Sequence, residues 1–275
     1  MLSSFFIAFR EGLEAFLVIG IIISYLTKIG EKKYVKHVIY GAVLAVVLSI
    51  GLAYIFQVLL GGFEGKVEEV FEGIVMMLAV VVLTYMIFWM NKQAKSIRGN
   101  IEASVGKAID KGRIFSLFFL GFIVVFREGA ETVLFFRAIS YQVNSFELIL
   151  GGTAGILSSI ILAIIFFLST RKVNLGAFFK ITGILVMLIA TGLFSTAIHE
   201  FQEAGIMPVI KDNIYDIGNV LSKESIFGGI LRSLFGYNPS PSLLETAGYV
   251  IYILVVSLLI KKFYFSNPKE VVEKN

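Results

Sequence analysis

The chain has 275 residues, of which 57% are hydrophobic and only 16% charged, and its mean hydropathy is +0.86. An ordinary soluble domain carries about 25% charged residues, so this composition points to an integral membrane protein. A formal net charge of +4 makes no case for nucleic acid as a partner, and the absence of cysteine excludes thiolate metal sites, disulfides and thiol catalysis.

A helix needs about 20 apolar residues to cross a bilayer. Runs of that kind fall at 3–27, 38–60, 68–90, 114–137, 147–169, 178–199 and 244–263. The first is read as a retained span rather than a cleaved signal. Nothing basic precedes it, Arg10, Glu11 and Glu14 interrupt it, and no A-x-A pattern follows. The loops after the first, third and fifth runs hold Lys28, Lys32, Lys33, Lys36, then Lys92, Lys95, Arg98, Lys107, Lys111, Arg113, then Arg171, Lys172, Lys180. With Lys261, Lys262, Lys269 and Lys274 of the tail they make 17 cations, against five (Lys66, Arg137, Lys211, Lys223, Arg232) in the remaining loops. By the positive-inside rule the N-terminus is expected outside and the C-terminus in the cytoplasm of a cell-membrane protein. Ser242 and Glu245, three residues apart, read as a capping box that starts the last run, so Glu245 is left out of any site.

The chain also repeats itself. "FFIAFREGLEAFLVIG" (5–20) aligns with "FIVVFREGAETVLFFR" (122–137), and more weakly "VFEGIVMML" (70–78) aligns with "KITGILVML" (180–188). Each copy holds three spans, and an odd number forces the second copy to enter from the opposite side, the inverted-repeat plan of many secondary transporters. The expected fold is all-α: seven transmembrane helices, as two inverted three-helix repeats plus a seventh helix. In residues, 1–113 is the first repeat with its cytoplasmic loop, 114–199 the inverted second repeat, 200–242 an extracytoplasmic loop, and 243–275 the seventh helix and cytoplasmic tail.

The repeated element is R-E-x-x-E. On a helix, Glu11 and Glu14, or Glu128 and Glu131, share one face with Cβ atoms about 5–6 Å apart, near enough to share a cation. Arg10 and Arg127 each stand four residues before one of these glutamates and can hold it ionised. Gly12 and Gly129 leave room for a neighbouring helix. Charge at mid-membrane is costly and usually marks a pathway. A salt bridge serving only as packing needs no second glutamate, so two matched copies point to a cation site of Glu11, Glu14, Glu128 and Glu131. All-oxygen ligation suits hard ions: Mg, Ca, Mn and iron, particularly ferric. Met76, Met77, Met86 and Met90 read as packing rather than as a soft-metal site. A contribution from Glu72 would raise the site from −2 to −3 and match a ferric ion. Two outer acidic groups are accessory or entrance candidates: Glu68 and Glu69 beside Glu72, and His199, Glu200 and Glu203. For both, a helix end in solvent is an equal explanation.

The paired "REGLE" and "REGAE", the "FEGIVMMLAVVVLTYMIFWM" span and "HEFQEAG" resemble the oxidase-dependent iron permease family, over residues 3 to 263. The resemblance implies a seven-span iron importer with Glu11, Glu14, Glu128 and Glu131 as iron ligands and no permanently bound cofactor, iron being the transported substrate. It also implies that iron is oxidised outside by a separate oxidase or iron-delivery protein and received as ferric ion. Some relatives are associated with lead, so Mn or Pb stays open as the cargo. An intramembrane carboxylate-metal oxidase is the third reading, but such sites use E-x-x-H pairs and these motifs hold no histidine.

Overall fold

The computed structural model describes residues 1–60, 64–93, 97–110, 114–168, 175–222 and 225–265. Of the loop and tail cations named above, Lys95, Lys111, Arg113, Arg171, Lys172, Lys223, Lys269 and Lys274 lie outside the described residues, as do the side chains of Met90, Lys92 and Arg98. Among the described residues the fold is all-helical, with no strand. Long apolar runs favour this outcome, because a helix satisfies its own backbone groups where water is absent. The elements are α1 (Leu2–Lys28), a 3₁₀ turn (Lys32–Tyr34), α2 (Val35–Leu60), α3 (Lys66–Gln93), α4 (Ile97–Asp110), α5 (Ile114–Ser140), α6 (Ser145–Leu168), α7 (Leu175–Glu203), α8 (Ile226–Phe235) and α9 (Leu243–Phe265).

Helices α2, α3, α6, α7 and α9 contain spans long and apolar enough to cross a membrane. α1 and α5 equal them in length, at 27 residues each, but carry the charged motifs at their middles. α7 lies at the centre, with 67% of its apolar window buried, whereas α2 buries 11% and turns Tyr40, Val47, Ile50 and Tyr54 outward. Exposed apolar faces of that kind fit lipid.

The packing directions are specific. α1 and α6 run parallel: Gly12 meets Ser159, Gly151 meets the backbone of Met1, and Gly20 meets Phe167. α2 and α5 run parallel in the same way, with Gly129 against Ser49 and Gly41 against the backbone of Phe118. α3 and α7 are antiparallel, Gly73 of one touching Phe201 of the other. α1 and α5 also cross antiparallel. Ile7 shares a buried cluster with Phe135 and Ile139, while Val18 and Ile22 share another with Leu117.

Two segments expected as loops contain helices. In 91–113, α4 packs Val105 against Val18, Ile22 and Leu26 of α1. Its apolar face is short and interrupted by Asn100, Glu102 and Lys107, which masks it in a search for long runs. In 200–242, α8 starts where the Ser225 hydroxyl accepts from the Gly228 N–H at 3.0 Å, and ends at Gly236 in the left-handed region (φ 64°). Ser3 of α1 donates its N–H to the Ser233 hydroxyl at 3.1 Å. Gly236 abuts Gly192 of α7, where a Cβ on either would overlap the other's backbone. Gly192 lies about 16 Å along α7 from Glu203 at the helical rise. Part of the segment therefore folds back against α1 and α7.

The start of α9 is as expected. Ser242 N–H donates to Glu245 Oε1 at 3.1 Å, and Glu245 N–H donates to the Ser242 hydroxyl at 3.2 Å.

Candidate metal centre

The two charged motifs meet where α1 and α5 cross. Glu11, Glu128 and Glu131 each offer one carboxylate oxygen, and these three atoms lie within 4.8 Å of one another. Glu14 faces an adjoining cavity of about 180 Å³, lined also by Glu128, Glu131 and Arg127 and by Tyr85, Met86 and Trp89 of α3. All four motif glutamates are thus brought to one place by the antiparallel crossing.

The arginines neutralise them unequally. Arg10 is enclosed: Nη1 donates to Glu11 Oε1 at 3.1 Å, Nη2 lies 3.1 Å from Glu14 Oε1, and Nη1 also reaches the Met86 thioether at 3.7 Å. Arg127 Nε donates to Glu128 Oε1 at 3.0 Å and lies 3.8 Å from Glu131 Oε1, and its Nη2 donates to the same Glu128 oxygen. Its guanidinium also stacks over the Trp89 ring, 4.7 Å from the centroid. The i,i+4 pairs read from the spacing both form, but each arginine also engages the glutamate beside it. Adjacent helix positions do not face each other. Here a long side chain in a poorly screened site folds back to the nearest opposite charge.

Even so, the carboxylates are not satisfied. Glu11 Oε2, Glu128 Oε2 and Glu131 Oε2 are buried with no hydrogen-bond partner, and Glu14 Oε1 has the Arg10 ion pair but no hydrogen bond. An unmet buried acceptor costs about 1–3 kcal/mol, so the cluster holds acceptors that a proton or a cation could satisfy. Four ionised carboxylates against two guanidiniums leave a formal charge of −2. The donor set is all oxygen, with the Met86 sulfur at its edge.

Residues 1–267 match the iron permease FTR1 family. The chain belongs to this family. The ferrous iron permease EfeU of Escherichia coli O6:H1 (strain CFT073) is 36% identical over 256 residues, covering 92% of this chain and 93% of that protein. The ferrous iron permease EfeU of Yersinia pestis is 35% identical over 271 residues, covering 98% and 95%. No solved structure matches the chain. Family membership and the apolar helices together point to a multi-pass membrane permease of an iron-transport family.

Away from the centre, the two further acidic sets singled out in the sequence come together in one group. Glu68 and Glu69 occupy the first turn of α3, where the helix dipole favours them, and Glu72 lies one turn further in. Antiparallel packing sets these beside the end of α7. Glu72 interacts with Glu200, Glu68 and Glu203 and with Arg137, while Glu200 interacts with His199, Glu203 and Glu69. The two outer sets read separately from the sequence are therefore one. Glu72 does not line the central cavity. It precedes Met86 by 14 residues, about 21 Å along α3. The third negative charge that Glu72 was expected to lend the centre is absent from it.

His199, an accessory candidate, stands between two carboxylates. Its Nδ1 is 3.2 Å from Glu245 Oε1 and its Nε2 is 3.2 Å from Glu203 Oε1, so both ring nitrogens face carboxylates. Tyr85 and Trp89 are the site residues missed by sequence reasoning, and Met86 was assigned to packing. Their signal is faint but real: positions 85, 86 and 89 share one stripe of α3, and Trp89 is the only tryptophan in the chain.

Proposed function

We propose that this permease moves iron across the membrane by holding the ion between α1 and α5, on Glu11, Glu14, Glu128 and Glu131, with Arg10 and Arg127 as built-in counter-ions. The observation that carries the reading is the meeting of Glu11, Glu128 and Glu131 oxygens within 4.8 Å, with an unpartnered oxygen on each residue. The net charge of −2 suits a divalent ion, and the relatives are named ferrous iron permeases. An inward-negative potential favours cation entrance by about 2.3 kcal/mol per charge per 100 mV.

The seven-span, inverted-repeat arrangement belongs to this proposal. It is supported by contacts that exchange under the repeat: Gly12 on Ser159 answers Gly129 on Ser49, and Gly151 on Met1 answers Gly41 on Phe118. The parallel and antiparallel senses of the pairs are those that alternating spans require. The charge asymmetry of the loops supports an external N-terminus and a cytoplasmic C-terminus. A second reading is ferric iron handed over by an extracytoplasmic oxidase or delivery protein, and the outer acidic group around Glu72 and Glu200 favours it as a receiving surface.

The test is uptake into liposomes holding the purified chain, comparing ferrous, ferric, manganese and lead ions, with Glu14→Ala and Glu131→Ala beside the parent. Iron-selective uptake lost in both variants is expected. Uptake that survives both would reduce the motifs to structural salt bridges, and preference for manganese or lead would reassign the cargo.

A further inference from the structure

Arg10 and Arg127 hold equivalent positions in the two motifs, yet their surroundings differ in kind. The Arg10 side chain is 2% exposed and enclosed by Glu11, Glu14 and Met86. The Arg127 side chain is 43% exposed at the cavity wall, and its guanidinium has two sorts of partner at once: the carboxylates of Glu128 and Glu131, and the face of Trp89.

A cation arriving among the four carboxylates is repelled by both guanidiniums. It also competes with them for oxygens, since Glu128 Oε1 is taken by Arg127. The guanidinium able to withdraw is one with an attraction that does not depend on a carboxylate. An indole face supplies this through its quadrupole, and a planar, weakly hydrated guanidinium is the cation best suited to stack there. Arg127 has that alternative; among the described residues, the polar contacts of Arg10 all lie within the site itself.

We propose that Arg127 is the displaceable counter-ion of the site: an incoming metal cation takes Glu128 and Glu131 from it, and Trp89 retains it, while Arg10 stays fixed. This rests on the four-carboxylate reading above and adds a division of labour to it. Before the ion binds, Arg127 limits the bare negative charge held in a low-dielectric region. Once it withdraws, Glu128 presents both oxygens to the ion. Arg127 and Trp89 are positioning residues here, since neither touches the metal.

The experiment is equilibrium binding of ferrous ion, kept anaerobic, to the full chain in detergent micelles. Arg127→Gln removes the competitor and is expected to tighten binding about two- to fivefold, the worth of one partly exposed charge pair. Trp89→Leu removes the alternative partner, returns Arg127 to the carboxylates, and is expected to weaken binding about two- to fivefold. If Arg127 merely orients Glu128, Arg127→Gln weakens binding instead, and the proposal is overturned. Unchanged or tighter binding in Trp89→Leu overturns it as well, and that variant decides alone if Arg127→Gln does not fold. Glu131→Gln separates the two levels. Weaker binding there with weaker binding in Arg127→Gln sinks only the exchange, whereas unchanged binding in Glu131→Gln sinks the carboxylate site beneath it.

Discussion

The Cβ of Ser49 in α2 lies 2.8 Å from where a Cβ on Gly129 of α5 would stand, while at the matching pair the Cβ of Ser159 in α6 lies 3.3 Å from a Cβ on Gly12. Both glycines follow the first glutamate of a motif, so helix contact there sets how the carboxylates are presented. Overpacking costs about 1–3 kcal/mol, offset by about 1 kcal/mol of helix propensity gained from Gly to Ala. Gly129→Ala is therefore expected to lower the thermal midpoint of the micellar protein more than Gly12→Ala. Ser159→Ala should rescue Gly12→Ala, because only the hydroxyl is badly placed. Ser49→Ala should not rescue Gly129→Ala; Ser49→Gly should. Equal losses, or rescue by Ser49→Ala, would refute the close approach.

The arginines differ in stability as well as in mobility. Removing Arg10 leaves Glu11 and Glu14 buried without a counter-ion, and breaking a buried pair by deleting one partner costs about 3–5 kcal/mol. Arg10→Ala is expected to give little folded protein. Arg127→Ala removes a side chain that is 43% exposed, so the loss is expected to be smaller than for Arg10→Ala, though Glu128 loses its counter-ion. Thermal melts of the two variants check this directly, and a reversed order would contradict the assigned environments.

How much of this was legible beforehand follows from what kind of signal each feature leaves. Arg10, Glu11 and Glu14 stand out because charge is rare in an apolar run, and their recurrence at Arg127, Glu128 and Glu131 makes the pair visible to the eye. The antiparallel crossing that unites them is what an odd-numbered repeat would require. Trp89 and Tyr85 leave no such signal: aromatic residues are ordinary in an apolar helix, and only three-dimensional packing shows that α3 walls the cavity. α4 and α8 were missed for the opposite reason, being too short or too polar to register as spans. Glu72 was drawn toward the centre by charge arithmetic alone, which ignores the length of helix between it and Met86.

His199 is expected to bridge two helices rather than to bind cargo. It ties Glu203 at the end of α7 to Glu245 at the start of α9, and Glu245 also accepts from Asn238 Nδ2 at 2.9 Å. His199→Ala is expected to lower the thermal midpoint by the loss of two charge-assisted contacts, about 1–3 kcal/mol together. Ferrous-ion affinity measured on the same preparation should stay within twofold of the parent, a span equal to about 0.4 kcal/mol. A large loss of affinity with unchanged stability would restore His199 as a ligand.

The outer acidic group should act on the approach of the ion and not on its passage. Glu68, Glu69, Glu72, Glu200 and Glu203 converge at one end of α3 and α7, about four helical turns along α3 from the central cavity. Charges so placed raise the local cation concentration at the mouth, and salt screens them over about 8–10 Å. Combining Glu68→Gln with Glu200→Gln is expected to raise the half-saturating iron concentration for liposome uptake about two- to tenfold at low ionic strength, at the lower end of what steering achieves. The maximal rate should be unchanged, and the difference should vanish as sodium chloride is raised. A fall in maximal rate that persists at high salt would instead place these carboxylates on the path as ligands.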